Sequence, residues 1–207
     1  MDYIFRLSDR IQFLPVVHGS GSFAREIRNR ILSTKCNCLA VALPPEFQNS
    51  VEEGIELLPQ ITLSTQQEEE GGLNYVPIDP SQPIIAGLRV AKQEGIARRF
   101  IDLSTTNYET RHSNFPDTFS LQKVSYEKYA STLLLTLKPP KVESQHYWRA
   151  RWMAYQLHCL EMDFPNILFL CSVLDWPWIK DAFDERKKYK NPPSDLKTPV
   201  LNRVHKN

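Results

Sequence analysis

His18 closes an apolar run, residues 11–17 (IQFLPVV), and opens the segment His18-Gly19-Ser20-Gly21-Ser22. A histidine at the end of a core strand titrates near neutral pH, so it can act as a general base or as a metal ligand. Two aspartates hold comparable places. Asp102 stands near the end of residues 100–103 (FIDL), and Asp175 directly follows residues 166–174 (NILFLCSVL). With His18 they would form a His/carboxylate set for a hard or borderline metal that activates water for hydrolysis. The same residues have plainer uses, as a turn histidine bonded to backbone and as aspartates capping helices.

The glycine-serine loop leads into a helix, where backbone N–H groups of Gly19 and Ser20 can hold phosphate or carboxylate. Its spacing matches neither G-x-G-x-x-G nor G-x-x-x-x-G-K, and a tight turn with a serine cap needs the same residues. Ser20 and Ser22 lack the G-x-S-x-G elbow of a nucleophile. Cys36-x-Cys38 has no second Cys or His pair to complete a metal site, which leaves buried thiols. Tyr147, Trp148, Trp152 and Tyr155 recur at one-turn spacings and read as core packing of a helix rather than a ligand pocket. The basic run 186–190 reads as a solvated helix end.

These residues need elements that carry them to one place. Residues 11–17, 38–43, 61–64, 100–103 and 166–174 read as strands. Helices are expected from Ser20 or Ser22 to about Ser33, from Pro44-Pro45-Glu46 onward, from Asp79-Pro80 to Gly95, over 125–137, over 145–162 and over 176–189. Residues 66–72 (QQEEEGG) read as a solvated surface loop and 105–118 as a long loop of the kind that is often functional. Strands alternating with helices predict an α/β fold, a mostly parallel central sheet with helices on both faces. Such a sheet puts its strand carboxyl ends on one rim, where ligands bind, and His18, Glu46, Asp102 and Asp175 would share it.

Composition limits the alternatives. The 207 residues are 42% hydrophobic with net charge +1, enough for a core without disulfides and too neutral a surface for nucleic-acid binding. Asp2, Arg6, Asp9 and Arg10 interrupt any signal-peptide core, and the longest apolar stretch is too short to span a bilayer. Four cysteines without an export signal are expected to be reduced, hence a cytoplasmic protein with no membrane partner. One domain over 1–190 and a polar tail or linker over 191–207 are expected.

Four segments together resemble a known family. They are the strand ending in His18-Gly19-Ser20-Gly21-Ser22; Leu39-Ala40-Val41-Ala42-Leu43-Pro44-Pro45; residues 86–95 (AGLRVAKQEG) leading into Arg99-Phe100-Ile101-Asp102-Leu103; and residues 149–154 (RARWMA) followed by 169–175 (FLCSVLD). Their order and spacing, over about 13–178, resemble the TraB/ChaN/erythromycin-esterase-like superfamily. The branch most similar begins His-Gly-Pro-Gly-Ser and is often encoded beside MoxR-type AAA ATPases. That family includes macrolide-lactone hydrolases, Tiki-type metalloproteases and a haem-binding lipoprotein. The resemblance implies a strand-end histidine, here His18, and matches Arg89, Asp102, Arg149 and Met153 to family positions. Two positions depart from it. The family's acidic residue after the second strand is Ala42 here, with Glu46 one helical turn on, and the histidine expected after the last strand is Asp175.

Two readings follow. One is a divergent hydrolase of an amide or ester, with His18, Asp102 and Asp175 catalytic, a divalent metal on His18 and Asp175, and Gly19, Ser20, Glu46, Arg89 and Arg149 binding ligand. The other is a catalytically degenerate domain that binds a small ligand or a partner protein, an AAA ATPase system among the candidates. A phosphate-binding domain outside the family is a third reading.

Overall fold

The computed structural model describes residues 5–68, 71–111, 113–187 and 199–204. Short apolar segments form β1 (Ile11–Val16), β2 (Cys38–Val41) and, later in the chain, β6 (Ile167–Ser172). With β5 (Ala97–Phe100) they make a four-stranded sheet in the order β1-β6-β2-β5, every pairing parallel. β5 lies three residues earlier than the run 100–103 predicts, so Asp102 stands beyond the strand instead of inside it. Pro15 fits β1 because β1 is an edge strand, where a missing N–H removes little from the ladder.

The sheet is covered on both faces, as expected for an α/β fold. On one face Leu14, Val16, Leu39, Val41 and Leu170 meet α1 (Gly21–Ser33), α2 (Gln48–Glu56), α3 (Pro83–Gln93) and most of the buried face of α4 (Tyr126–Leu134). On the other, Phe13, Ala40, Phe169 and Cys171 meet α5 (Gln145–Asp163) and α6 (Trp176–Glu185). Alternate residues of each strand therefore serve opposite cores. Trp176 stacks on Phe13 at 4.0 Å between centroids, a contact worth about 0.5–1.5 kcal/mol beyond its burial.

Caps set several helix starts. Ser20, Ser125 and Ser144 accept from the N–H three residues on at α1, α4 and α5. α3 starts at Pro83 rather than at Asp79-Pro80; Asp79 instead accepts from the Ser81 N–H at 2.7 Å in a local turn. The aromatics of α5 are not its core face. Arg149, Ala150, Met153, Ala154, Leu157 and Leu160 are buried, while Tyr147, Trp152 and Tyr155 are half-buried and Trp148 is exposed.

A second, smaller sheet corrects two expectations. β3 (Thr62–Gln67) and β4 (Leu73–Ile78) form an antiparallel hairpin, and β7 (Val200–Arg203) pairs antiparallel with β3. The acidic residues 66–72 belong partly to this hairpin, and residues 200–203 of the tail form a strand. The rest of the tail and residues 188–190 of the basic run lie outside the described residues. α2 approaches this sheet closely at Gly54, where a Cβ would fall 2.4 Å from Ile78 Cδ1 and 3.0 Å from Leu201 Cδ1. No helix among the described residues is long and apolar enough to cross a membrane.

Candidate functional site

The parallel order places β6 between β1 and β2. The helix following β1 packs on one face and the helix following β6 on the other, so the carboxyl ends of these neighbours open a crevice. His18 follows β1, Glu46 follows β2, Asp102 follows β5 and Asp175 follows β6. The first three line a cleft of about 420 Å³, whose facing wall is the β3–β4 hairpin. Tyr108, Ser104 and Arg149 complete its polar lining.

Asp102 and Arg149 form the floor of this cleft as a closed ion pair. Arg149 Nε donates to Asp102 Oδ1 at 3.1 Å and Nη2 donates to Oδ2, with both side chains at most 5% exposed. The Leu103 N–H adds a bond to Oδ1 at 2.8 Å. Burial disfavours the Arg149 charge, but Asp102, Tyr108 and Asp175 outweigh it and raise its pKa well above the ordinary range. Nη1 lies 3.3 Å from His146 Nδ1. Burial, then Arg149, lower the His146 pKa, which suits a neutral ring accepting that bond. The Tyr108 ring lies 4.8 Å from the guanidinium carbon.

Asp175 is also taken. Arg111 Nη1 contacts its Oδ1 at 3.3 Å and donates to Leu174 O at 3.0 Å. Both aspartates expected beside His18 are therefore neutralised by arginines. No hydrogen bond or ion pair joins either of them to His18 among the described residues, and no group of three or more His, Cys, Asp or Glu there could hold a metal. The divalent-metal expectation for His18 and Asp175 therefore has no three-residue ligand cluster behind it among the described residues. At Asp102 a cation would have to displace the guanidinium that holds both oxygens, whereas at Asp175 Arg111 engages Oδ1 alone.

His18 itself is exposed at the cleft mouth, and its ring has no hydrogen-bond partner among the described residues. Surrounding protein still crowds it. Desolvation lowers its pKa from the usual 6.5, Asp175 pulls it up and Arg149 pushes it down. Its solvent access moderates that shift. The net direction favours neutral imidazole, the form able to accept a proton.

Glu46 sits on the 3₁₀ turn Pro45–Phe47, which follows β2. The Ser104 hydroxyl donates to its Oε1, while Oε2 is buried without a partner. A buried carboxylate oxygen left unpaired is costly, and the side chain that carries it lines the cleft. Ala42, where the family resemblance expects an acidic residue, lines the same cleft, so Glu46 brings a carboxylate to the region that Ala42 cannot charge.

Three other expected ligand residues have different places. Gly19 takes a left-handed φ of 71°, and its N–H donates to Gln82 Oε1 at 3.0 Å. Ser20 is the α1 cap and its hydroxyl donates to Thr118 Oγ1 at 2.8 Å. The Gly19 N–H and the Ser20 hydroxyl are thus engaged inside the protein. Arg89 points away from this cleft into a separate one between α1 and α3. The thiols of Cys36 and Cys38 are pushed up by burial, Cys38 to about 12, so neither is a ready nucleophile.

Sequence reasoning missed Tyr108, Ser104, Arg111 and the hairpin wall. Their signal was weak: Tyr108 and Arg111 fall in a segment recognised only as a long loop. Leu73, Tyr75 and Tyr108 leave exposed apolar surface around polar groups that converge in the cleft, a combination common in small-molecule sites. No protein-family model, curated protein or solved structure matches this chain.

Proposed function

We propose that this cleft binds a small, partly apolar organic molecule and hydrolyses an ester or amide bond in it, with His18 as general base and without a metal. The observation that carries the reading is the unpartnered imidazole of His18 beside a cleft of about 420 Å³, its pKa lowered toward the neutral form. In this mechanism His18 removes a proton from water as the water oxygen bonds to the carbonyl carbon. The protonated ring then returns the proton to the leaving oxygen or nitrogen as the bond from carbonyl carbon to leaving group breaks. Crowding raises the Tyr108 pKa, keeping its hydroxyl protonated and able to donate to the developing oxyanion. The Glu46 side chain, which lines the cleft, attracts a ligand hydroxyl or N–H and helps fix its orientation.

This reading agrees with the hydrolases of the superfamily that the sequence resembles, while dispensing with their metal-centred variants. Four free cysteines are compatible with a cytoplasmic placement, and the neighbouring AAA ATPase systems of the resembled branch are the partner class it implies. A second reading, binding without turnover, is favoured by one feature: among the described residues no carboxylate orients the His18 ring through a hydrogen bond, as one does in a catalytic triad.

A panel of nitrophenyl esters and anilides offered to the purified chain separates the two. The hydrolytic reading expects turnover that falls by about 10²–10⁴ in His18→Gln. Equal rates in both proteins, or saturable binding of the panel with no turnover, overturns it.

A further inference from the structure

Arg10, Arg25, Arg28, Arg89, Arg99, Arg186 and Arg203 enter no ion pair among the described residues, whereas Arg6 pairs with Asp9. Arg30, Arg98, Arg111, Arg149 and Arg151 each meet a carboxylate. Arg25, Arg28 and Arg89 meet none among the described residues, yet all three are exposed and line one hollow of about 400 Å³ between α1 and α3. Glu26, adjacent in sequence to Arg25, is already engaged by Arg30. Arg25 and Arg28 stand three apart on α1, a spacing at which like charges repel. In a chain of net charge +1, three uncompensated guanidiniums at one hollow are a local concentration of charge rather than a general basicity.

The hollow exists because α1 and α3 pack closely. A Cβ on Gly87 would fall 2.5 Å from Leu170 Cδ1 and 3.2 Å from Ile27 Cγ2, so only glycine lets α3 settle this near the sheet and α1. Pro80 and Ala86 give the hollow apolar surface, and Gln93, one turn beyond Arg89, adds a neutral amide. Arginine forks match phosphate oxygens in pairs, and three of them exceed what a singly charged ligand can neutralise.

We propose that this hollow is a binding site for the diphosphate group of an organic diphosphate whose apolar part rests on Pro80 and Ala86. It is independent of the hydrolytic reading, since none of its arginines lines the His18 cleft.

Calorimetric titration of the full chain with inorganic pyrophosphate tests it, with citrate as a polyanion lacking phosphorus. The expected result is saturable one-to-one binding of pyrophosphate, tighter than citrate, weakened by about tenfold in Arg25→Gln and in Arg89→Gln. Arg151→Gln, on α5, should bind like the wild type. Melting curves of the variants should overlay the wild type, because the arginines exchanged in the hollow are exposed and unpaired. No saturable heat, citrate binding as tightly as pyrophosphate, or unchanged affinity in the two hollow variants overturns the proposal.

Discussion

The Arg149 guanidinium grips both carboxylate oxygens of Asp102, tying α5 to the segment just beyond β5 directly beneath the cleft. Each residue is almost wholly buried, so the pair is a structural element of the site and not a reagent within it. Removing one partner leaves a buried charge without compensation.

Asp102→Asn and Arg149→Met should therefore each destabilise the protein by about 3–5 kcal/mol, read by chemical denaturation. The double replacement by apolar residues should cost less than the sum of the single ones. Additive losses would show that the two side chains do not act as a pair.

His18 should behave oppositely. It is exposed and unpartnered, so His18→Gln should change stability by no more than about 0.5 kcal/mol while removing turnover. A folded state that unfolds with His18→Gln would assign the ring to packing instead.

The pH profile follows from the same ring. A lowered pKa means that neutral His18 persists below pH 6.5, so activity should fall only on the acid side of that value. Asp175 favours the protonated ring, so Asp175→Asn should move the acid limb to lower pH. The linkage to stability has the same direction. Below pH 6.5 the unfolded chain binds a proton at this residue more readily than the folded one, so this contribution to stability declines as pH falls from 6.5 through the folded pKa. A rate profile unmoved by Asp175→Asn would detach the acid limb from His18.

Glu46→Gln removes a buried, unpaired carboxylate oxygen. Stability should hold or rise, by about 1 kcal/mol at most, while affinity for ligands of the cleft falls. A loss of stability without a loss of affinity would make Glu46 a scaffold residue.

Gly54→Ala tests the second sheet. The added methyl would meet Ile78, Thr62 and Leu201 at 3.0 Å or less, and a cost of about 1–3 kcal/mol is expected in denaturation. A neutral effect would mean that α2 does not press on β3, β4 and β7 as described.

Three strands of the parallel sheet were legible because β1, β2 and β6 are short continuous apolar runs, the pattern that burial on both faces imposes, whereas β5 (ARRF) was displaced by three residues. The hairpin was not legible. Thr62–Gln67 and Leu73–Ile78 mix polar and apolar residues, and the acidic segment between them reads as solvent-facing whether or not it joins two strands. β7 was hidden because its partner lies more than 130 residues away, beyond the reach of any local pattern. At the site, His18, Glu46 and Asp102 followed from strand ends alone. Their chemistry did not, because it depends on Arg149 and Arg111, which arrive from a helix and a loop. Arg89 was misplaced for a related reason: a helix has several faces, and spacing within α3 does not tell which cleft an exposed arginine enters.

The central claim is that His18 hydrolyses its substrate as a base without a metal. Its most direct measurement is the steady-state hydrolysis rate of chelator-dialysed protein, shown by elemental analysis to be metal-free, before and after adding divalent ions. The rate should be unchanged in the metal-free protein, with no gain on adding Zn²⁺, Mn²⁺ or Mg²⁺. A rate abolished by chelation and restored by one of these ions would contradict that claim.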